Sequence, residues 1–162
     1  MLLALVLVLA CGGEPVETSA GSSADYAGRS ELHAEFGPAG DTGSTPWLLR
    51  LDGEAWEARV GLAWHDAAVM GTWTASIDDG LWLDDGADRT QLLPARLAKG
   101  ESGEGVSVVS LGGVDTWYGS FDDAVTVEVS EGRWAGEQVF ARDFGLVVWT
   151  LDGETRELVY YE

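Results

Sequence analysis

Apolar and polar side chains alternate along most of this chain. Leu32, Ala34 and Phe36 are interleaved with Glu31, His33 and Glu35. In EAWEARVGLAW the apolar set is Trp56, Ala58, Val60, Leu62 and Trp64, with Glu57, Arg59 and His65 opposite. Val69, Gly71, Trp73, Ala75 and Ile77 repeat the pattern against Met70, Thr72, Thr74 and Ser76, and Val125, Val127 and Val129 repeat it against Thr126, Glu128 and Ser130. LVVWTL and TRELVYY close the chain. A period of two sends successive side chains to opposite faces of a strand. One dry face and one wet face mark antiparallel sheet. No segment carries a 3.6-residue apolar stripe, so little helix is expected.

Turn signals fall between these runs, at Asp52-Gly53, Asp79-Gly80, Asp85-Gly86, Gly112-Gly113, Glu131-Gly132 and Asp152-Gly153. Asp-Gly suits a tight hairpin, whose central residues need positive φ. The pattern predicts an all-β fold, a single antiparallel meander of about ten to twelve short strands. So many strands in one small domain should curl into a barrel, half-barrel or sandwich. WLLRLDGEAWEARV and VVWTLDGETRELVY echo one another, which a duplicated hairpin or two independent Asp-Gly hairpins would explain, the second being preferred for so short a motif. The stretch LLPARLAKGESGEG, Leu92 to Gly105, reads as edge strand or exposed excursion because Pro94 cannot donate to a ladder.

The amino-terminal stretch behaves differently. Leu2 to Ala10 are nine consecutive apolar residues, against the about 20 that a spanning helix needs. This is the length of a signal-peptide core. Val8-Leu9-Ala10-Cys11 resembles a bacterial lipobox, although Val8 stands where leucine is usual and no Lys or Arg precedes the apolar run. The resemblance implies a lipoprotein signal peptide at residues 1–10, cleaved before Cys11, and lipidation of the Cys11 sulfur. Two or more acyl chains anchor a protein stably, where one does not. Cys11 is the only cysteine, so it has no partner for an internal disulfide. Gly12, rather than Asp, follows it, and by analogy with enteric sorting this points to the outer membrane. Residues 11–28 continue as GGEPVETSAGSSADYAG after the cysteine, a flexible acidic tether that leaves 29–162 as the β domain.

Charge narrows the partners. There are 28 acidic and 9 basic residues, for a net charge of −19. Such a surface repels nucleic acid, which needs clustered Lys and Arg.

The candidate chemistry is sparse. In IDDGLWLDDGAD, Asp78, Asp79, Asp84, Asp85 and Asp88 offer hard oxygen ligands for calcium, without the order of an EF-hand loop. If the two Asp-Gly turns cap one short strand, the pairs stand about 12–15 Å apart and share no ion. The expectation is therefore no metal and no cofactor. Trp64-His65-Asp66 suggests a dyad, but strand neighbours point to opposite faces, so His65 and Asp66 are expected to diverge. Asp143-Phe144-Gly145 copies a kinase signature without the rest of the set and reads as a turn. No catalytic motif is recognisable. An envelope hydrolase would have to build its cleft around His33 or His65. Trp56, Trp64 and Trp73 share the inferred dry face and are the candidates for lining a ligand cavity.

From Leu92 onward, LLPARLAKGE, FDDAVTVEVSEG, RWAGEQVFARDFGLVVW and GETRELVYY resemble a group of uncharacterised bacterial lipoproteins with β-rich envelope domains. The resemblance departs at FARDFGLV, where those proteins often carry Pro-Gly. It implies a lipid-anchored protein of the cell envelope, in the periplasm or at the outer membrane. It supplies no activity and no site residue. The expected role is a non-enzymatic binding or structural module, with a small apolar ligand or an envelope protein as partner. A calcium-stabilised surface module is the remaining alternative.

Overall fold

The structure is a computed structural model and describes residues 21–28, 32–38 and 44–162. Cys11 and the signal-like stretch lie outside the described residues. Eleven strands form one sheet: β1 (Leu32–Gly37), β2 (Trp47–Asp52), β3 (Ala55–Val60), β4 (Ala68–Asp78), β5 (Gly80–Asp84), β6 (Arg89–Pro94), β7 (Val106–Asp115), β8 (Ser120–Val129), β9 (Gly136–Ala141), β10 (Gly145–Leu151) and β11 (Glu154–Tyr161). Their spatial order is β6-β5-β4-β3-β2-β1-β11-β10-β9-β8-β7, a meander whose first and last strands pair in the middle. The ladders are antiparallel throughout, and the sheet curls into a nearly closed barrel. The all-β expectation holds.

Alternating directions give the barrel two distinct ends. The turns β3–β4, β5–β6, β8–β9 and β10–β11 lie at one end, termed upper. The turns β2–β3, β4–β5, β7–β8 and β9–β10 lie at the lower end. The same arithmetic explains the seam. With eleven strands alternating, the edge strands β6 and β7 run the same way, and the antiparallel ladder cannot close on itself. Residues 95–105 must climb from the lower end of β6 to the upper end of β7, and they do so along the gap. Gly100 N–H donates to Val108 O at 2.9 Å, Val108 N–H to Glu101 O at 2.8 Å and Gly103 N–H to Val106 O at 2.8 Å. The strap thus acts as an irregular twelfth strand. Leu97 is fully buried beneath it. On the β6 side, Gln91 donates through Nε2 to Asp79 O at 2.7 Å and accepts the Glu104 N–H at 2.6 Å. The expectation for 92–105 holds: β6 is an edge strand and most of 95–104 is exposed, while buried Leu92, Leu93 and Leu97 fasten the segment to the wall.

Inward positions follow the alternation in β1, β3 and β8, with Leu32, Ala34, Phe36, Trp56, Ala58, Val125, Val127 and Val129 all buried. The outer positions of these strands are mostly polar, the reverse of a transmembrane barrel. The interior is filled by an aromatic chain. Trp73 meets Trp134 edge-on at 5.1 Å, Trp134 stacks on Trp149 at 5.7 Å, and Trp47 and Phe36 abut Trp149 at 5.0 and 5.3 Å. Trp73 also lies back over Gly71, whose missing Cβ makes room for the ring. The Trp134 and Trp149 indole N–H groups are buried without an acceptor, at a cost of roughly 1–3 kcal/mol each set against their large apolar area. Gln138, fully buried, accepts the Thr150 N–H and donates to Trp134 O and Thr150 O.

The fold begins before residue 29. Ser23–Tyr26 form a 3₁₀ turn that plugs the lower end. Ser23 Oγ donates to Pro94 O at 3.0 Å, Asp143 N–H donates to Asp25 O at 2.8 Å, and the Tyr26 hydroxyl donates to Asp123 Oδ1 at 2.5 Å. Tether-like composition hid this because Tyr26 is the one large side chain buried in Gly21–Gly28.

Candidate functional site

Two concavities meet at the upper end. One, of about 390 Å³, lies between the β5–β6 turn and the β8–β9 turn, with Trp73 and Trp134 as apolar walls and Asp85, Asp88, Glu104 and Glu131 among its polar ones. The other, of about 800 Å³ and more open, spreads over Trp56, Trp73, Thr74, Asp84 and Arg89. Trp73, Asp85 and Arg89 belong to both.

Hydrogen bonds fix the rim. Asp85 Oδ1 accepts the N–H groups of Asp88 at 2.8 Å and Ala87 at 2.9 Å, and Asp84 Oδ1 accepts that of Gly86 at 2.7 Å. The backbone donors of Asp88 and Ala87 hold the Asp85 carboxyl below its ordinary range, with Arg133 adding to the effect. Arg133 donates bidentately to Asp152, with Nη2–Oδ2 at 2.7 Å and Nε–Oδ1 at 3.1 Å, and through Nη1 to Met70 O. This pairing raises the arginine and lowers the Asp152 carboxyl. The Arg133 guanidinium also lies 5.9 Å from the Trp73 ring centre. Arg89 lies 4.3 Å over the Trp82 ring and 3.8 Å from Asp78. Both arginines are therefore spoken for. Asp88, Glu104 and Glu131 contribute negative charge beside an indole wall, a lining able to hold a small amphipathic molecule.

The sequence candidates separate. Trp56 and Trp73 are cross-strand partners on the inner face, as expected. Trp64 does not join them. The strand ends at Val60, and residues 61–67 turn back over the outer wall, leaving Leu62 85% exposed. There Trp64 stacks on His33 at 5.9 Å, with the Arg59 and Arg50 guanidinium groups 4.9 and 5.8 Å from its centre. His65 and Asp66 also depart from expectation. They lie on this turn rather than on a strand, and they pair at 3.0 Å. Both are exposed, as is His33, and all three lie outside the upper cleft.

Asp78 and Asp79 lie at the lower end of β5, whereas Asp84, Asp85 and Asp88 lie at the upper end. Their turns use Asp84 and Asp85 as acceptors. Among the described residues, no three His, Cys, Asp or Glu side chains gather as a metal-binding group. Asp143-Phe144-Gly145 forms the β9–β10 turn, with Asp143 at φ 63°. Sequence reasoning missed Trp134 and Arg133. The only signal was RW after a Glu-Gly turn, which carries no periodicity.

No family model, curated protein or solved structure matches the chain.

Proposed function

We propose that the chain is a lipid-anchored protein of the bacterial cell envelope, held at the outer membrane through Cys11, and that its barrel is a non-enzymatic binding or structural module. One observation carries this reading: the two ends of the barrel differ. The chain enters at the lower end through Gly21–Tyr26, and the Trp73–Trp134 cleft opens at the upper end. A protein tethered from its amino terminus would thus turn its cleft away from the bilayer. The packed aromatic interior leaves the cleft and the outer wall as the places where a small amphipathic ligand or an envelope protein would bind. The lipobox-like Val8-Leu9-Ala10-Cys11 supports the anchor, and a free cysteine in an exported chain gains a use from acylation.

Fractionation of cells tests the reading. The native chain is expected in the membrane fraction, and Cys11→Ser in the soluble fraction. Membrane association that survives Cys11→Ser would refute the anchor.

A further inference from the structure

The eight tryptophans of this chain are treated unequally. Trp47, Trp56, Trp73, Trp134 and Trp149 are buried. Trp64 lies beneath Arg59, Arg50 and His33, and Trp82 beneath Arg89. Trp117 is 54% exposed, and among the described residues no ring stacks on it and no cation lies over it. It occupies the tip of the β7–β8 hairpin with Tyr118, 44% exposed.

This tip is firmly held. Thr116 and Gly119 close it by exchanging backbone hydrogen bonds at 2.9 and 3.2 Å. The Tyr118 N–H donates to Leu158 O at 3.0 Å, and the Trp117 N–H donates to Glu157 Oε2 at 3.2 Å. These bonds are open to it because the β10–β11 ladder covers only Glu154 to Glu157, leaving the end of β11 unpaired on that side. Tyr118 also packs on Phe121 and Tyr161. An exposed indole on a pinned backbone is a preorganised contact, not a frayed loop.

The tip stands at the lower end, where the chain enters. Gly21 lies against Arg142, and Arg142 bonds Asp123, two residues from Phe121. Ten peptide steps link Cys11 to Gly21. Ten residues can span at most roughly 35 Å. An anchor at Cys11 therefore keeps this end of the barrel within reach of the bilayer surface.

We infer that Trp117 and Tyr118 dock the lower end of the barrel on the membrane, with the indole at the boundary between headgroups and acyl chains. This rests on the anchor proposed above. Trp and Tyr favour that boundary because one part of the ring system is apolar and the other hydrogen-bonds water and headgroups. Charge selects the lipid. Asp115, Asp122, Asp143, Glu157 and Glu162 lie at this end, and carboxylates are repelled by anionic headgroups. The surface therefore fits zwitterionic phospholipid.

The test uses the full chain purified with its acyl groups and reconstituted into phosphatidylcholine vesicles, with or without bromine on the acyl chains. Mass spectrometry of the same sample reads the state of Cys11. Brominated lipid is expected to quench the tryptophan emission, and Trp117→Phe to reduce that quenching at least two-fold with an unchanged melting temperature. Adding phosphatidylglycerol should weaken it. Acylated Cys11 with no quenching, or equal quenching in Trp117→Phe, overturns the docking and leaves the anchor standing. An unmodified Cys11 removes both. Protection of 116–119 from hydrogen exchange in native membranes but not in vesicles would overturn lipid docking in favour of a protein contact.

Discussion

Tyr26 shows how much one side chain can decide. It sits in a stretch whose composition is that of a tether, yet its ring is fully buried and its hydroxyl reaches the Asp123–Arg142 pair. Burial raises its pKa above the ordinary value, and the hydrogen bond to Asp123 adds to this. The folded state therefore holds the phenol proton more tightly than the unfolded chain does. That contribution is fully present below the unfolded pKa of about 10 and is lost as pH rises above it. Tyr26→Phe should cost about 1–2 kcal/mol at neutral pH in denaturant unfolding. It should also flatten the fall in stability above about pH 10. A variant with the wild-type alkaline slope would show that Tyr26 is not its source. Asp123 behaves in the opposite sense. Burial opposes its charge, but the Tyr26 and Arg142 donors prevail and lower its carboxyl, so its share of stability is lost only in acid.

At the scale of elements, the seam is the part of the barrel that depends on side chains. Elsewhere, ladder hydrogen bonds join neighbouring strands. Between β6 and β7 the strap pairs with β7 through its backbone, and the amide of Gln91 ties the β4–β5 turn to the end of the strap. Gln91→Leu removes the hydrogen bonds to the Asp79 carbonyl and from the Glu104 N–H, a cost of about 1–3 kcal/mol for the two. Hydrogen exchange should quicken at 100–105 well before the β1–β11 centre responds. Uniform quickening would mean that the seam does not open separately. The two Leu-Asp-Gly-Glu hairpins make a related point. In β10–β11 the central pair is Asp152-Gly153, with φ 52° and 80°. In β2–β3 it is Gly53-Glu54, because Asp52 pairs with Ala55. Identical tetrapeptides thus turn one residue out of step, which favours two independent hairpins over a duplication. Gly112-Gly113, a turn by its dipeptide, lies inside β7 at a register shift, because Val114 continues the pairing with Phe121.

At the scale of the whole molecule, the net charge of −19 belongs to a small protein in which Arg133 and Arg142 are locally paired. Self-repulsion should dominate the salt response. Raising salt from about 10 mM to about 0.5 M shortens the screening length from roughly 30 Å to under 5 Å. We expect the melting temperature to rise by about 3–6 °C, equivalent to roughly 1 kcal/mol. A fall would show that Arg133–Asp152 and Arg142–Asp123 outweigh the diffuse repulsion.

The sequence by itself determined the class of the fold and most of its inner face, because both follow from period-two alternation and from glycine at the turns, which are local. It also reached Trp56 and Trp73 as neighbours on one face, and the separation of Asp78 and Asp79 from Asp84 and Asp85 by one short strand. Only the tertiary structure decided which strands meet, since pairing β1 with β11 joins residues far apart in sequence. That choice, together with an odd number of strands, left a parallel seam for the strap to fill. It also placed the cleft and the chain entry at opposite ends. Trp64 turned outward because residues 61–67 left the strand, and alternation holds only while a ladder continues. Trp134 and Tyr26 became core because the closed wall brought distant surfaces around them, and no periodicity in their own segments records it.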